Sequence, residues 1–436
     1  MKKYSSYKDS GVKWLGEIPS HWKVLHLRNL IRIFSEKGFP NAQLLSVTRE
    51  KGVILRNKDD KEENHNFVPD DLSGYKHLLP GDFIINKMKS WQGSYGVSPY
   101  EGIVSPAYYT CKLKGVDKDF FSKAIRSKAY IPFFSQFSKG IRVDQWDLDP
   151  SAMKNIPFVL PSIKEQRAIA SYISQITEHI DQAIAQQQKM IDLLNERKQI
   201  IIQKAVTKGL DPNVEMKDSG MDWIEKIPST WKRIPLRYIC KFGKGLQITK
   251  ADLVEEGLPV VSYGQVHAKY NTRTHLSQEL IRFVPYSYAK DNENCLVHPR
   301  EFIVADTSED FNGCGNMVYN DSSKNIYAGY HTVILRDINF ENPKYLAYLF
   351  ASELWRYQVR KRVNGIKVYS ITKGILSQVD VIKPSVEEQD NIVKYLDGQT
   401  YTIDKNIELI GKRISILQER KQIIINDVVT GKVKVC

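Results

Sequence analysis

The sequence contains no long hydrophobic run. Nowhere do about 18 apolar residues follow one another, the length that identifies a membrane-spanning helix. Its first residues lead into polar sequence and lack the apolar core of a signal peptide. The five cysteines are odd in number and never spaced as Cys-x-x-Cys, which argues against a disulfide framework and a zinc site. We therefore expect a cytoplasmic protein that has no contact with a membrane.

Several motifs of enzymes are also missing. There is no phosphate loop of the form GxxxxGK[ST], no glycine-rich cofactor loop after a strand, and no Asn-Pro-Pro-aromatic run of the kind that amino-methyltransferases use. Glu215 and Lys217 have the spacing of some nuclease motifs, but no Pro-Asp pair precedes them. Residues 306–310 (DTSED) include three acidic residues, but these follow one another where metal ligands should alternate. We predict no catalytic residue and no metal site.

The chain is basic, and its charge is unevenly distributed. The formal net charge is +13, and 42% of the residues are hydrophobic, which is typical of a soluble globular protein. Residues 162–209 and 385–432 together carry a net charge of only +1, so the other 340 residues carry +12. Such an excess of positive charge is compatible with binding to a nucleic acid or to an anionic membrane surface, or with a charged exterior that only meets solvent.

The sequence contains a long internal repeat. The motif KDSG at residues 8–11, followed by Trp14, an Ile-Pro-Ser triplet and Trp22, recurs 209 positions later at residues 217–220, Trp223 and Trp231. A second match joins the ends of the two halves, because residues 196–202 (ERKQIII) recur 223 positions later at residues 419–425. The segments between these matches share little sequence. Constant ends and variable middles indicate one scaffold that carries two different binding domains.

Two long helices are predicted at the ends of the halves. From Glu165 to about Lys208 there is no proline or glycine, and apolar or small residues, Met190 among them, recur at alternating spacings of four and three as a seam. The second copy shows the same pattern, and Ser162 and Ser385 are placed as N-caps after Pro161 and Pro384. A helix of about 40 residues is roughly 60 Å long. We predict an antiparallel pair of helices that separates the two variable domains.

Each variable segment mixes short strands with helix, which favours an α+β domain. The helix of the second domain is signalled by Asn342 as its cap and Pro343 at its first position, with an apolar face that continues to Leu354. The predicted strands are residues 44–48, 83–85 and 108–110 in the first domain and 260–263, 302–305 and 332–335 in the second.

Basic and amide side chains beside aromatic residues are the candidate DNA contacts, because lysine and arginine neutralise phosphates while arginine, asparagine and glutamine read base edges. A similar turn recurs in both domains, at residues 138–143 (SKGIRV) and 363–368 (VNGIKV), with a basic residue at one position. We expect Trp91 to be partly buried. The predicted contacts are Lys87, Lys89, Trp91, Gln92, Lys139 and Arg142 in the first domain and Gln265, His267, Lys269, Arg273, Arg360, Lys361, Arg362 and Lys367 in the second.

The layout resembles the specificity subunits of type I restriction-modification enzymes over essentially the whole length. Four groups of sequence motifs carry the resemblance. They are residues 7–11 with Trp14, Gly16, Ile18, Pro19 and Trp22; residues 102–108 (GIVSPAY); Leu160 and Pro161 leading to Glu165, Gln166 and the long helix; and the second-copy residues 302–310 and 388–397.

The resemblance implies an α+β protein with a pseudo-twofold internal repeat. Two globular target-recognition domains, at residues 1–160 and 211–383, would be joined by two long antiparallel coiled-coil spacer helices at residues 161–210 and 384–436. Each domain would read one half of a split sequence in double-stranded DNA. Two methyltransferase subunits and two motor-nuclease restriction subunits are the implied partners. S-adenosylmethionine, ATP and Mg would be bound by those partners, and this chain would hold no cofactor.

Two other functions remain open from the residues alone. The chain could be a coiled-coil nucleic-acid-binding scaffold outside a restriction system, or a self-contained DNA methyltransferase or nuclease. A scaffold predicts no preference between DNA duplexes, whereas a specificity subunit predicts loss of only one half-site when Arg142 or Lys367 is changed.

Overall fold

The structure is a computed structural model that describes residues 2–57, 68–140, 146–222, 224–365 and 367–435. The chain forms two compact units. The first unit comprises residues Met1–Gln188 and Gly411–Cys436, and the second comprises Lys189–Ile410. Both contain helix and strand, which confirms the predicted α+β class.

The first unit is built around a four-stranded antiparallel sheet. Its strand order is Ile31–Phe34, Tyr108–Leu113, Phe83–Asn86 and Tyr95–Val97. The remaining strands pair two by two: Tyr7–Asp9 with Glu17–Pro19, Lys23–His26 with Pro157–Leu160, Leu45–Thr48 with Gly52–Leu55, Lys76–Leu78 with Gly102–Val104, and Ser138–Lys139 with Asp147–Leu148. The short helices are Leu27–Leu30, Ser90–Gln92, Lys118–Ile125, Ile131–Gln136 and Pro150–Met153.

The second unit repeats this sheet in the same order, with Lys241–Lys244, Thr332–Arg336, Phe302–Ala305 and Met317–Tyr319. It adds a second four-stranded sheet of Arg282–Val284, Leu258–Val261, Ile326–Ala328 and Leu296–Val297. Its strand pairs are Met216–Met221 with Ile224–Pro228, Lys232–Pro235 with Asp380–Lys383, and Thr307–Ser308 with Tyr369–Ser370. Its short helices are Leu236–Tyr238, Lys250–Asp252, Tyr263–Val266, Gln278–Leu280, Tyr286–Ala289, Glu293–Cys295, Phe311–Gly313, Pro343–Ala351, Glu353–Arg360 and Lys373–Ser377.

The two long helices are Ile163–Lys208, the central helix, and Val386–Val429, the terminal helix. Each begins with a capping box, as predicted from Ser162 and Ser385. The Ser162 hydroxyl accepts a hydrogen bond from the Glu165 amide at 3.3 Å, and the Glu165 carboxylate accepts one from the Ser162 amide. Ser385 and Glu388 repeat this arrangement. A proline before each cap keeps the helix from extending further toward its N-terminus.

Within each unit the two helices run antiparallel. In the second unit the Lys198 ammonium lies 2.6 Å from the Asp404 carboxylate, and in the first unit Lys421 lies 2.7 Å from Asp181. The two ion pairs occupy the same positions of the internal repeat, because Asp404 lies 223 residues after Asp181 and Lys421 lies 223 residues after Lys198. The internal repeat therefore places an equivalent helix pair in each unit.

A buried tryptophan joins the helices to each domain core. In the second unit the Trp231 indole N–H donates to the Glu388 carboxylate at 2.9 Å, and Gly209, just past the end of the central helix, lies against the indole ring. In the first unit Trp22 holds the same place between Glu165, at 3.4 Å, and Gly431. Both glycines have the left-handed backbone conformation that commonly ends a helix, with φ of 74° and 77°.

Two details of the predicted helices are wrong. Leu354 was placed on one continuous helix after Pro343, but this helix ends at Ala351 and a new one begins at Glu353. Ser352 adopts an extended conformation between them. Met190 was placed on the apolar seam of the central helix but is 49% exposed.

Candidate nucleic-acid interface

A loop and a strand pair form one surface of the first unit. The loop comprises residues 86–93 and follows the central strand Phe83–Asn86, and the pair is Ser138–Lys139 with Asp147–Leu148. The Leu148 amide donates to the Lys87 carbonyl at 3.0 Å, and the hydroxyls of Ser90 and Ser138 lie 3.3 Å apart. We call this loop and strand pair the first face. It unites the densest predicted stretch of the first domain with the strand that leads into the shared turn.

The predicted side chains on the first face differ in their exposure to solvent. Lys89 and Lys139 are exposed, and Gln92 is half-buried. Lys87 forms an ion pair with Asp147 at 2.9 Å, and the hydrogen bond and charge of Asp147 raise the pKa of this lysine. Trp91 is partly buried, as expected, and its ring lies 5.0 Å from that of Trp146. Arg142 lies outside the described residues.

The second unit has an equivalent surface. Its loop comprises residues 305–316 and follows the strand Phe302–Ala305, and the loop strand Thr307–Ser308 pairs with Tyr369–Ser370. Asn364 forms a bridge with Ser370, as Lys139 does with Asp147 in the first unit. The Ile371 amide donates to the Asp306 carbonyl at 2.7 Å, just as Leu148 donates to Lys87. We call this loop and strand pair the second face. The same backbone arrangement thus carries different side chains in the two units.

An arginine cluster supports the second face. Arg356 donates to Glu353 at 3.0 Å, and Arg360 also bonds this carboxylate and reaches Asn312 at 3.3 Å. Burial lowers the pKa of Arg273 to about 10, and the neighbouring charge of Arg356 acts in the same direction. The Glu353 carboxylate is therefore shared by several guanidinium groups. The cluster keeps a net positive charge in a partly buried environment.

The hydrogen bonds of this cluster define the state of His267. Arg356 can only donate, so the Asn316 oxygen accepts from it and the Asn316 amide nitrogen must donate to His267 Nδ1, 3.2 Å away. His267 Nε2 then carries the proton and donates to the Thr307 carbonyl at 2.9 Å. His267 thereby links Asn316 to the backbone of Thr307 and fixes the loop of the second face.

The other residues predicted in the second domain fall into two groups. Gln265 accepts from the Ser262 amide at 3.2 Å, Lys361 is paired with Asp222, and Arg362 donates to the Gln358 carbonyl at 2.8 Å. Lys269 and Lys367 are exposed. Lys367 follows the shared Gly-Ile turn of this domain, whose Ile366 lies outside the described residues.

Sequence patterns missed the aromatic and acidic residues of the second face. Phe311 is 44% exposed at the loop, with its ring 5.3 Å from Tyr369 and the Arg360 guanidinium 5.9 Å away. His331 packs edge-on against Tyr263 at 5.6 Å, and its Nδ1 lies 3.3 Å from Asp306. The signal that could have found them is the equivalence of the two central strands, which places residue 306 where residue 87 lies.

The described part of the chain meets the requirements of neither a metal site nor a membrane-spanning helix. No group of three or more histidine, cysteine or acidic side chains there could hold a metal ion. None of the described helices is both long and apolar enough to cross a membrane. Cys111, Cys240, Cys295 and Cys314 are free and buried, and burial raises the pKa of each thiol.

Comparison with known proteins gives one consistent result. Residues 228–418 match the family model described as the type I restriction modification DNA specificity domain. The specificity subunit of the type I restriction enzyme MjaVIII from Methanocaldococcus jannaschii is 23% identical, and the alignment covers 98% of this chain and 97% of that protein. The putative MjaX specificity subunit from the same organism is 22% identical, with coverage of 98% of both chains.

A solved structure shares the fold. A chain from a study of complex assembly and conformational transition of the type I R-M system superposes with a TM-score of 0.66 at 16% identity. The match covers 95% of this chain and 99% of that one. The repeated frame and the two faces describe a protein built from two unlike domains on one scaffold. Residues 228–418 thus match a type I restriction modification DNA specificity domain, and the chain is similar over nearly its whole length to specificity subunits of type I restriction enzymes.

Proposed function

We propose that each unit reads one half of a bipartite sequence in double-stranded DNA. The observation that carries this proposal is the pair of equivalent faces. In both, the loop after the central strand is joined to the segment that follows the shared turn by the same backbone hydrogen bond, yet their side chains differ in charge and size. One scaffold with two sets of side chains suits a DNA site whose halves differ.

The long helices set the distance between the half-sites and dock the methyltransferase subunits. Leu193 and Ile200 are 50% and 58% exposed on the central helix, and their repeat equivalents Ile416 and Ile423 are 63% and 50% exposed on the terminal helix. Apolar side chains left in water on equivalent positions favour two copies of the same partner. This supports two methyltransferase subunits and, with them, two motor-nuclease subunits.

The chemistry belongs to the partners in this proposal. S-adenosylmethionine would be bound by the methyltransferase subunits, which modify adenine, and ATP and Mg by the motor-nuclease subunits. This chain would supply sequence recognition and the assembly surface. Methylation of DNA by the purified chain without any partner would instead establish the enzymatic alternative.

A selection experiment tests the proposal directly. The full chain is incubated with a library of randomised DNA duplexes, and the bound fraction is sequenced. A specificity subunit enriches two short defined sequences at a fixed separation, whereas a scaffold that binds DNA without preference enriches none. Methylated adenines mapped in a host that expresses the chain with its partners should fall in the same bipartite sequence.

A further inference from the structure

Lys87 and Asp306 occupy the same position in the two units. Asn86 pairs with Tyr108 at the end of one central strand, and Ala305 pairs with Thr332 at the end of the other. Lys87 and Asp306 are the next residues. Each carbonyl accepts a hydrogen bond from the amide that follows Asp147 or Ser370, which is that of Leu148 in the first unit and that of Ile371 in the second. The two backbones are therefore equivalent, while the side chains have opposite charge.

Each of these side chains is held by a neighbour that the other unit lacks. Asp147, which pairs with Lys87, is replaced by Ser370 at the equivalent position before Ile371. His331, which lies 3.3 Å from Asp306, is replaced by Ala107 at the equivalent position before Tyr108. The opposite charges thus come with matching changes in their surroundings.

Both side chains remain accessible from solvent. The side chain of Lys87 is 31% exposed and that of Asp306 is 28% exposed. Asp306 Oδ1 is buried beside His331 and makes no hydrogen bond within the described part of the chain, so the exposed part of this carboxylate that can meet a ligand is its other oxygen. The Asp306 backbone is fixed on both sides, since its amide also donates to the His331 carbonyl at 3.1 Å. A rigid backbone with a half-satisfied side chain suits recognition of a ligand.

The chemistry of the two side chains restricts what each can recognise. Lysine only donates hydrogen bonds and aspartate only accepts them. In the major groove, guanine presents two acceptors, whereas cytosine presents an amino donor. Adenine also presents an amino donor, but the N7 acceptor beside that amino group repels the second oxygen of the carboxylate. An aspartate therefore favours cytosine over adenine.

We propose that Lys87 and Asp306 are equivalent specificity-determining residues of opposite character. Lys87 binds a guanine in one half-site, and Asp306 binds a cytosine in the other. This inference rests on the proposed function, because it assumes that both faces meet DNA. It adds the chemical class of the base that each face selects.

The test compares sequence selection by variants of the full chain. In Asp306→Asn an amide replaces the carboxylate at unchanged size, and we expect the preference for cytosine at one position of one half-site to fall by about 5- to 100-fold. In Lys87→Gln a guanine preference should fall similarly in the other half-site. The matched controls are Asp337→Asn and Lys114→Gln, which lie just beyond the opposite ends of the strands Thr332–Arg336 and Tyr108–Leu113. Both controls should keep the wild-type preference.

A reciprocal variant makes the test independent of any loss of folding. Asp306→Lys combined with Ser370→Asp rebuilds the ion pair of the first face in the second unit, and it should exchange cytosine for guanine at that position. An unchanged base preference in Asp306→Asn and in the double variant would overturn this inference alone. If the wild-type chain enriched no bipartite sequence, the proposed function would fall and the inference with it.

Discussion

At the scale of single residues, Trp22 and Trp231 connect three parts of each unit. Both are completely buried in their domain cores, each donates its indole N–H to the glutamate in the first turn of one long helix, and each contacts the glycine that follows the other helix. The start of one helix and the end of the other are therefore fixed to the same side chain. Small changes there should affect both helices.

Replacement of these tryptophans by phenylalanine should show how much the hydrogen bond from the indole N–H to the glutamate contributes to stability. Both substitutions remove a similar volume, but only the bond to Glu388 is short, at 2.9 Å against 3.4 Å for Glu165. We expect Trp231→Phe to lower the free energy of local opening by about 1 kcal/mol more than Trp22→Phe. Hydrogen exchange in the first turns of the two long helices, followed by mass spectrometry, measures the difference. Equal losses would show that the bond contributes little.

The same glutamates predict a loss of stability in acid. Partial burial raises the pKa of the Glu165 and Glu388 carboxyls, but their hydrogen bonds to serine and tryptophan, with His21 added at Glu165, lower it further than burial raises it. The folded pKa of each is thus below its ordinary value of 4.5. The stabilisation is complete above that value and disappears as the pH falls through the lowered folded pKa.

Denaturant unfolding between pH 7 and pH 3 checks this. The wild-type midpoint should decline below about pH 4.5, and Glu165→Gln with Glu388→Gln should decline less steeply, because an amide does not titrate. An equal decline in both proteins would assign the acid sensitivity to other carboxylates.

The predicted contacts differ in their surroundings, which the sequence did not show. Lys89, Lys139, Lys269 and Lys367 are exposed, as candidate contacts should be. Arg273, Arg360 and His267 lie in an internal network instead, because Glu353 and Asn316 approach them only in the folded unit. A loop sequence does not show which polar partners the rest of the chain will bring.

At the scale of elements, the long helices were predictable and their details were not. The capping serines and the absence of proline and glycine over most of the central helix indicated the bounds within a few residues. The exposure of Met190 depends on how the helices pack, which a repeating pattern of apolar residues defines poorly when polar residues interrupt it. The break at Ser352 had only a weak sequence signal, because serine is a preferred N-cap but here follows an apolar run that continues the helical pattern to Leu354.

The two interhelical ion pairs should behave alike. A double-mutant cycle with Lys198→Ala and Asp404→Ala should give an interaction energy of about 0.5–1 kcal/mol, because Asp404 is nearly half exposed and solvent weakens the attraction. The energy should fall when salt is raised. Urea unfolding at two salt concentrations measures it, and the equivalent cycle at Asp181 and Lys421 provides an internal replicate. A large salt-independent energy would contradict the assignment to a surface pair.

At the scale of the whole molecule, recognition by two unlike domains should be separable. Lys139→Gln and Lys367→Gln each remove an exposed cation next to the shared turn, one in each unit. Each substitution should weaken DNA binding and reduce the slope of log affinity against log salt by about 1 if the cation contacts a phosphate. Fluorescence anisotropy with duplexes altered in one half-site should assign each loss to one domain. Equal dependence on both half-sites in both variants would contradict independent reading.

The division of the chain between the two units has a consequence for its synthesis. The core of the first unit includes Ile424, Val428 and Val429, and the Lys434 amide donates to the Lys2 carbonyl. The second unit is continuous along the chain, at Lys189–Ile410. On the ribosome, the second unit therefore has all of its residues before the first unit has its last helix. A ribosome that stalls after residue 410 would release a protein with one finished domain and one whose apolar core lies open to chaperones and proteases.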